Sequence, residues 1–89
     1  MTNLKGTPQK VYAQIWIEAT SKENVDVIRK SEYLIMDKLV FIFSGKSRED
    51  LTSQEGLDLI KKEIKVRLDE MLGTGKIKSV GFDGSVNVI

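Results

Sequence analysis

The chain has 89 residues with 14 basic and 13 acidic side chains, a net charge of +1; that length supports one domain around a single two-layer core, and that balance argues against a generally basic nucleic-acid binder while leaving room for local patches. It contains neither cysteine nor histidine, which removes disulfides, zinc–thiolate centres, thiol nucleophiles, imidazole bases and most transition-metal sites. Catalysis would have to rest on carboxylates, lysine, tyrosine or hydroxyls, so an enzyme is disfavoured and no cofactor is implied.

The opening stretch, MTNLKGTPQK, is polar and holds the only proline; it reads as an amino-terminal arm over residues 1–9, a candidate edge strand, and has the character of neither a signal peptide nor a signal anchor. Residues 10–89 then form one domain. No apolar run approaches the ~20 residues that span a bilayer. Residues 10–20, KVYAQIWIEAT, alternate strictly. Val11, Ala13, Ile15, Ile17 and Ala19 point one way and Tyr12, Gln14, Trp16, Glu18 and Thr20 the other, which predicts a strand. Tyr12 and Trp16 on the wetter face have two explanations: cover by the arm or a neighbouring loop of the same chain, or an intermolecular contact, for which aromatic residues are favoured.

Hydroxyl caps at Thr20 and Ser21 precede residues 24–44, which read as one long helix. Val25, Ile28, Ile35, Leu39 and Ile42 lie near one stripe, and Ser31 and Glu32 interrupt it, so burial should be uneven. The β-rich run LVFIF at 39–43 could be a strand on composition, but length favours a continuing helix. Ser44-Gly45-Lys46-Ser47 resembles the end of a phosphate-binding loop, yet Val40 stands where that motif needs its first glycine. A glycine-terminated helix followed by a polar turn is the simpler reading.

Thr52-Ser53-Gln54-Glu55 fits a capping box opening a second helix over residues 53–72. Leu57, Ile60, Ile64, Leu68 and Met71 recur at helical spacing and must be buried together. Asp58 with Lys62 and Glu63 with Arg67 are acid-first i,i+4 pairs. Lys61 and Lys65 share a side with no acid between them, and Leu59 and Val66 lie off the core stripe. Together these four form a candidate partner surface. Gly73 and Gly75 suit a helix end and reversal. The last stretch, KIKSVGFDGSVNVI, is read as a strand bulged at Asp83-Gly84, with Val80, Phe82, Val86 and Val88 on one parity.

The order of these features resembles the carboxy-terminal periplasmic domain of the flagellar basal-body family FliL. The resemblance is carried by Phe43-Ser44, Asp50-Leu51-Thr52-Ser53-Gln54-Glu55-Gly56, Ile60-Lys61-Lys62-Glu63-Ile64, residues 69–72, the glycines at 73 and 75, and residues 77–82, with Asn3-Leu4 matching an early strand. Asp69 stands where the family usually has asparagine, Met36 near a frequently basic position, and Ile89 where glutamine is common. The resemblance implies a non-enzymatic protein of the bacterial flagellar motor with a stomatin/SPFH-like fold. It further implies homo-oligomeric rings, support of the stator proteins MotA and MotB beside the basal-body ring, a role in motility and chemotaxis, and no nucleic-acid partner. It also implies a single-pass inner-membrane topology, so the chain is expected to be an excised periplasmic fragment lacking its transmembrane helix. The matching residues are caps, core and turns, and they carry over no contact residue.

The expected fold is therefore α+β: two helices packed on one face of a small antiparallel sheet in strand–helix–helix–strand order. Leu57, Ile60, Ile64 and Leu68 would face Val11, Ile15, Ile17, Val80 and Phe82. Candidate partner or self-association residues are Tyr12, Trp16, Leu59, Lys61, Lys65 and Val66. The alternative function is a KH-like RNA-binding module, whose G-x-x-G loop between helices would fall at Gly45-Lys46-Ser47-Arg48, with Arg48 in place of the second glycine.

Overall fold

A computed structural model describes Thr2–Asn3 and residues 10–88; the rest of the arm, including the Leu4 assigned to an early strand, lies outside the described residues, as does Ile89. The elements are β1 (Thr2–Asn3), β2 (Lys10–Tyr12), β3 (Ile15–Ala19), α1 (Lys22–Lys30), α2 (Glu32–Ser44), α3 (Arg48–Thr52), α4 (Gln54–Leu72), β4 (Ile77–Phe82) and β5 (Asn87–Val88). All strand pairing is antiparallel, in one sheet of order β1-β2-β5 and a second of β3 with β4. The architecture is α+β, with α2 and α4 supplying most of the helical side of the core.

The predicted strand over residues 10–20 is divided. Tyr12 pairs with Asn87 and Ile15 with Phe82, so Ala13 and Gln14 face the longer segment from Asp83 to Val86. The single strand expected to run through a bulge at Asp83-Gly84 is instead two strands in different sheets, β4 ending at Phe82 and β5 beginning at Asn87, because the four residues between them face only two on the other side. Gly84 has φ +77°, a conformation that costs glycine little, and the Asp83 amide donates to the Gln14 carbonyl at 2.8 Å, so the two sheets remain joined across the break. A second irregularity falls where Glu18 pairs with Ser79 but Ala19 with Ile77, leaving Lys78 as the extra residue. This restores Ile77, only 3% exposed, to the core side.

The predicted helix over residues 24–44 is two helices, meeting at Ser31 with φ −99° and ψ 13°. Burial is uneven across that break, as the interruption of the stripe at Ser31 and Glu32 implies: α1 has no fully buried residue and reaches the core through the partly buried Ile28, whereas α2 buries Ile35, Leu39, Ile42 and Phe43. Ser21 caps α1 by accepting from the Asn24 amide, while the Thr20 hydroxyl donates to the Gly75 carbonyl at 2.8 Å. The capping box expected at Thr52 sits earlier, at Ser47 and Asp50, where it opens α3. Thr52 ends that short helix with its hydroxyl donating to the Arg48 carbonyl, and Ser53 caps α4 by accepting from the Gly56 amide at 3.0 Å. Gly73 and Gly75 take φ of 107° and 93°, as the reversal into β4 requires.

The core joins α2, α3 and α4 to the strands. Leu51, Ile60, Ile64 and Leu68 are at most 1% exposed, and Ile15, Ile17, Leu57, Val80, Phe82, Val86 and Val88 pack against them or their buried neighbours. Phe43 meets Phe82 edge-to-face with centroids 6.3 Å apart, tying α2 to β4.

The α3 box has a titration consequence. The Ser47 backbone amide, then its hydroxyl, hold the Asp50 carboxyl below its ordinary value of 3.8, with Lys46 adding a smaller effect. A carboxyl favoured in its charged form when folded contributes stability above pH 3.8, and loses it as pH falls through the lower folded value. In an NMR titration, Ser47→Ala is expected to raise the Asp50 midpoint but leave it below 3.8, because the backbone donor survives. An unchanged midpoint would remove the hydroxyl from the account.

Candidate interaction surfaces

The polar turn between α2 and α3 is structural. Gly45 caps α2, Ser47 caps α3, and Lys46 extends to Glu63 at 2.7 Å, tying the turn to α4. Among the described residues no group of three or more acidic side chains could hold a metal, and no helix is long and apolar enough to cross a membrane. Three surfaces of the molecule carry exposed aromatic, charged or apolar side chains.

The first is the wetter face of the strands. Trp16 and Tyr12 are 46% and 45% exposed. Trp16 is paired with Gly81, and its indole lies so close that a Cβ on Gly81 would stand 2.3 Å from Cζ2. An aromatic laid over a cross-strand glycine covers backbone that has no side chain of its own. Part of Trp16 is thus accounted for within the chain, by its own sheet. Tyr12, on the other side of the strand break, borders a shallow groove with Gln14, Asp83 and Asn87.

The second surface is the flank of α4, and here the charge pairing differs from the sequence expectation. Lys61 and Lys65 have no acid between them on this side, but each is paired with one that flanks them: Lys61 meets Asp58 at 3.2 Å and Lys65 meets Asp69 at 2.6 Å. Asp58 therefore pairs one turn away with Lys61 instead of Lys62, and also accepts from Gln54 at 3.0 Å. The Lys61 and Gln54 bonds hold its carboxyl below the ordinary range. Glu63 goes to Lys46 and Arg67 to Glu70, so the expected Glu63–Arg67 pair is absent among the described residues. Lys61, Lys65 and Val66 come together in one groove with Lys62, Asp58 and, from β4, Lys78, Ser79 and Val80. Leu59 is not part of it; 65% exposed, it lines a separate depression with Glu49, Asp50 and Glu55.

Sequence reading missed Lys78 and Val80 as members of the groove, because the strand alternation gave no hint of the irregularity at Lys78. It also missed a third surface. The outward side of α2 presents Tyr33, Leu34, Met36, Val40 and Phe41, with Tyr33 87% and Phe41 68% exposed. Lys38 lies 5.5 Å from the Phe41 ring centroid. The signal was present, since EYLIMDKLVFIF is apolar nearly all round and such a helix is ordinarily enclosed on every side. Beside it, Val11, Ala13, Ile15, Met36, Leu39, Val40 and Phe43 line an apolar groove of about 150 Å³.

Comparison with known proteins gives a consistent result. The family model described as flagellar basal body-associated protein FliL matches residues 1–86. The flagellar protein FliL of Aquifex aeolicus (strain VF5) is 29% identical over 84 residues, covering 92% of this chain and 52% of that protein. The chain thus spans about half the length of this curated relative.

Proposed function

Because the chain belongs to the FliL family of flagellar basal body-associated proteins, we propose that it is a non-enzymatic scaffold of the flagellar motor that oligomerises around the stator, stabilises or recruits MotA and MotB, and so supports motility. In this reading it is the periplasmic domain of a single-pass bacterial inner-membrane protein, its fold is of the SPFH/stomatin kind, and its copies form a ring beside the basal body. The family match over residues 1–86 carries the flagellar assignment. The exposed apolar side chains of α2, Tyr33, Leu34, Met36, Val40 and Phe41, support a scaffold role, since large apolar side chains gathered on one side of a helix are a feature of interaction sites. A ring needs one patch to pair with a different patch on the next copy, repeated until rotation closes. Tyr12, Trp16, Leu59, Lys61, Lys65 and Val66 are proposed as contributors to partner or self-association.

Swimming provides the test. A strain carrying Tyr12→Ala and Trp16→Ala is expected to spread less in soft agar at normal protein abundance; unchanged spreading would remove these residues from the working surface. Analytical ultracentrifugation of the chain alone at rising concentration is expected to show self-association into closed assemblies. A chain that stays strictly monomeric up to millimolar concentration would count against the ring.

A further inference from the structure

We propose that the groove between α4 and the unpaired edge of β4 docks an acidic peptide segment in extended conformation, as a strand added to β4. Among the described residues β4 pairs with β3 alone. The Asp83 amide donates to the Gln14 carbonyl, and in an antiparallel ladder the residues facing the partner alternate. With Trp16 opposite Gly81 and Glu18 opposite Ser79, the backbone groups of Gly81 and Ser79 face β3. Those of Val80 and Phe82 then face away from it, at the spacing that another strand needs. An unpaired edge of this kind ordinarily invites indiscriminate pairing, and lysines or an irregularity along it are the usual deterrents.

Both deterrents are present, and together they make the edge selective. Lys78 is the extra residue in the β3–β4 register and lines the groove with Lys61, Lys62 and Lys65 from α4. Four lysines thus surround a space of about 630 Å³ whose own carboxylate is Asp58, with Asp69 paired to Lys65 just outside it. Lys62 and Lys78 have no carboxylate within ion-pair distance among the described residues. A neutral or basic strand would leave these ammonium groups crowded and less hydrated. An acidic strand gains complementary charge along α4 and ladder hydrogen bonds along β4. Val66 and Val80 supply the apolar contact between the lysines. An isolated anionic headgroup would use the lysines but not the backbone edge, and this favours a peptide as the occupant. The surface shares Lys61, Lys65 and Val66 with the association surface proposed above. Peptide docking does not depend on a flagellar role, so the assay below can fail while the swimming result stands, and the reverse.

The probe is a labelled Ac-Thr-Glu-Thr-Glu-Thr-Glu-Thr-amide titrated with the 89-residue chain and read by fluorescence anisotropy. Saturable binding is expected, weakened about tenfold or more between 50 and 300 mM salt because charge pairing on an open groove is screened. Replacing the peptide glutamates with glutamine, or N-methylating alternate peptide amides, is expected to reduce binding by a similar factor. The double variant Lys62→Gln, Lys78→Gln removes only exposed side chains and should weaken binding while leaving the thermal transition in place. Amide shift changes should concentrate at residues 78–82 and 61–66. Absence of binding at millimolar chain, or indifference to backbone N-methylation, would overturn the proposal. So would stronger association with phosphatidylglycerol vesicles or an oligouridylate than with the peptide.

Discussion

Gly56→Ala is expected to destabilise the chain by about 1–3 kcal/mol, against the usual sign of a glycine-to-alanine change within a helix, which on propensity alone gains about 1 kcal/mol. A Cβ at position 56 would stand 2.1 Å from the Asp50 carbonyl oxygen and 2.7 Å from its carbonyl carbon and Cα. These are backbone atoms, so no rotamer change relieves the overlap. Asp50 cannot withdraw independently, because its amide and carboxylate are both engaged by Ser47 in the α3 box. Relief requires α3 to lift from α4, which would expose Leu51, 1% accessible in the native fold. Urea denaturation should show a lower midpoint with an unchanged slope. A midpoint equal to or above that of the unaltered chain would mean that α3 does not lie where it is placed.

Ile64→Ala should cost more, about 2–5 kcal/mol, as expected for deleting most of a fully enclosed side chain and leaving a cavity that its neighbours only partly fill. Ile64 lies midway along the buried stripe of α4 between Ile60 and Leu68, each at most 1% exposed. For a domain of this size, with total stability of about 5–15 kcal/mol at most, such a loss consumes a large part of the margin. The expected thermal shift is therefore a drop of ten degrees or more. A loss below about 1 kcal/mol in chemical denaturation would contradict the central position of this residue. Leu59→Ala, on the same helix but 65% exposed, is the internal control and should change stability by no more than about 0.5 kcal/mol.

These cases also separate what was legible in the chain from what was not. The α4 stripe and the glycine reversal at its end could be read locally from spacing within one element, and the helix over residues 39–43 from the length of its segment; the last strand was legible only as far as Phe82, because where β4 stops and β5 starts is set by their pairing with β3 and β2. The capping box was displaced because several hydroxyls competed: Ser47, Thr52 and Ser53 are all competent caps, and only the presence of α3 decides that Thr52 ends one helix while Ser53 begins the next. Ion pairs were misjudged for a related reason. Asp58 can reach either Lys61 or Lys62, and Glu63 is claimed by Lys46 from a different turn, a partner that no i,i+4 rule contains.

Composition and periodicity by themselves determined an α+β domain without histidine or cysteine chemistry, a core built on one side of α4, and Gly73 and Gly75 as the hinge into the last strands; each follows from residue type and short-range geometry. Tertiary structure alone decided that Gly56 is a point of backbone contact, that Trp16 lies over Gly81, and that Lys78 joins the lysines of α4 beside an edge of β4 that pairs with no strand among the described residues. Those three facts require segments distant in sequence to meet, and such a meeting is set by how the sheet irregularities and helix faces pack together, which no single stretch of the chain contains.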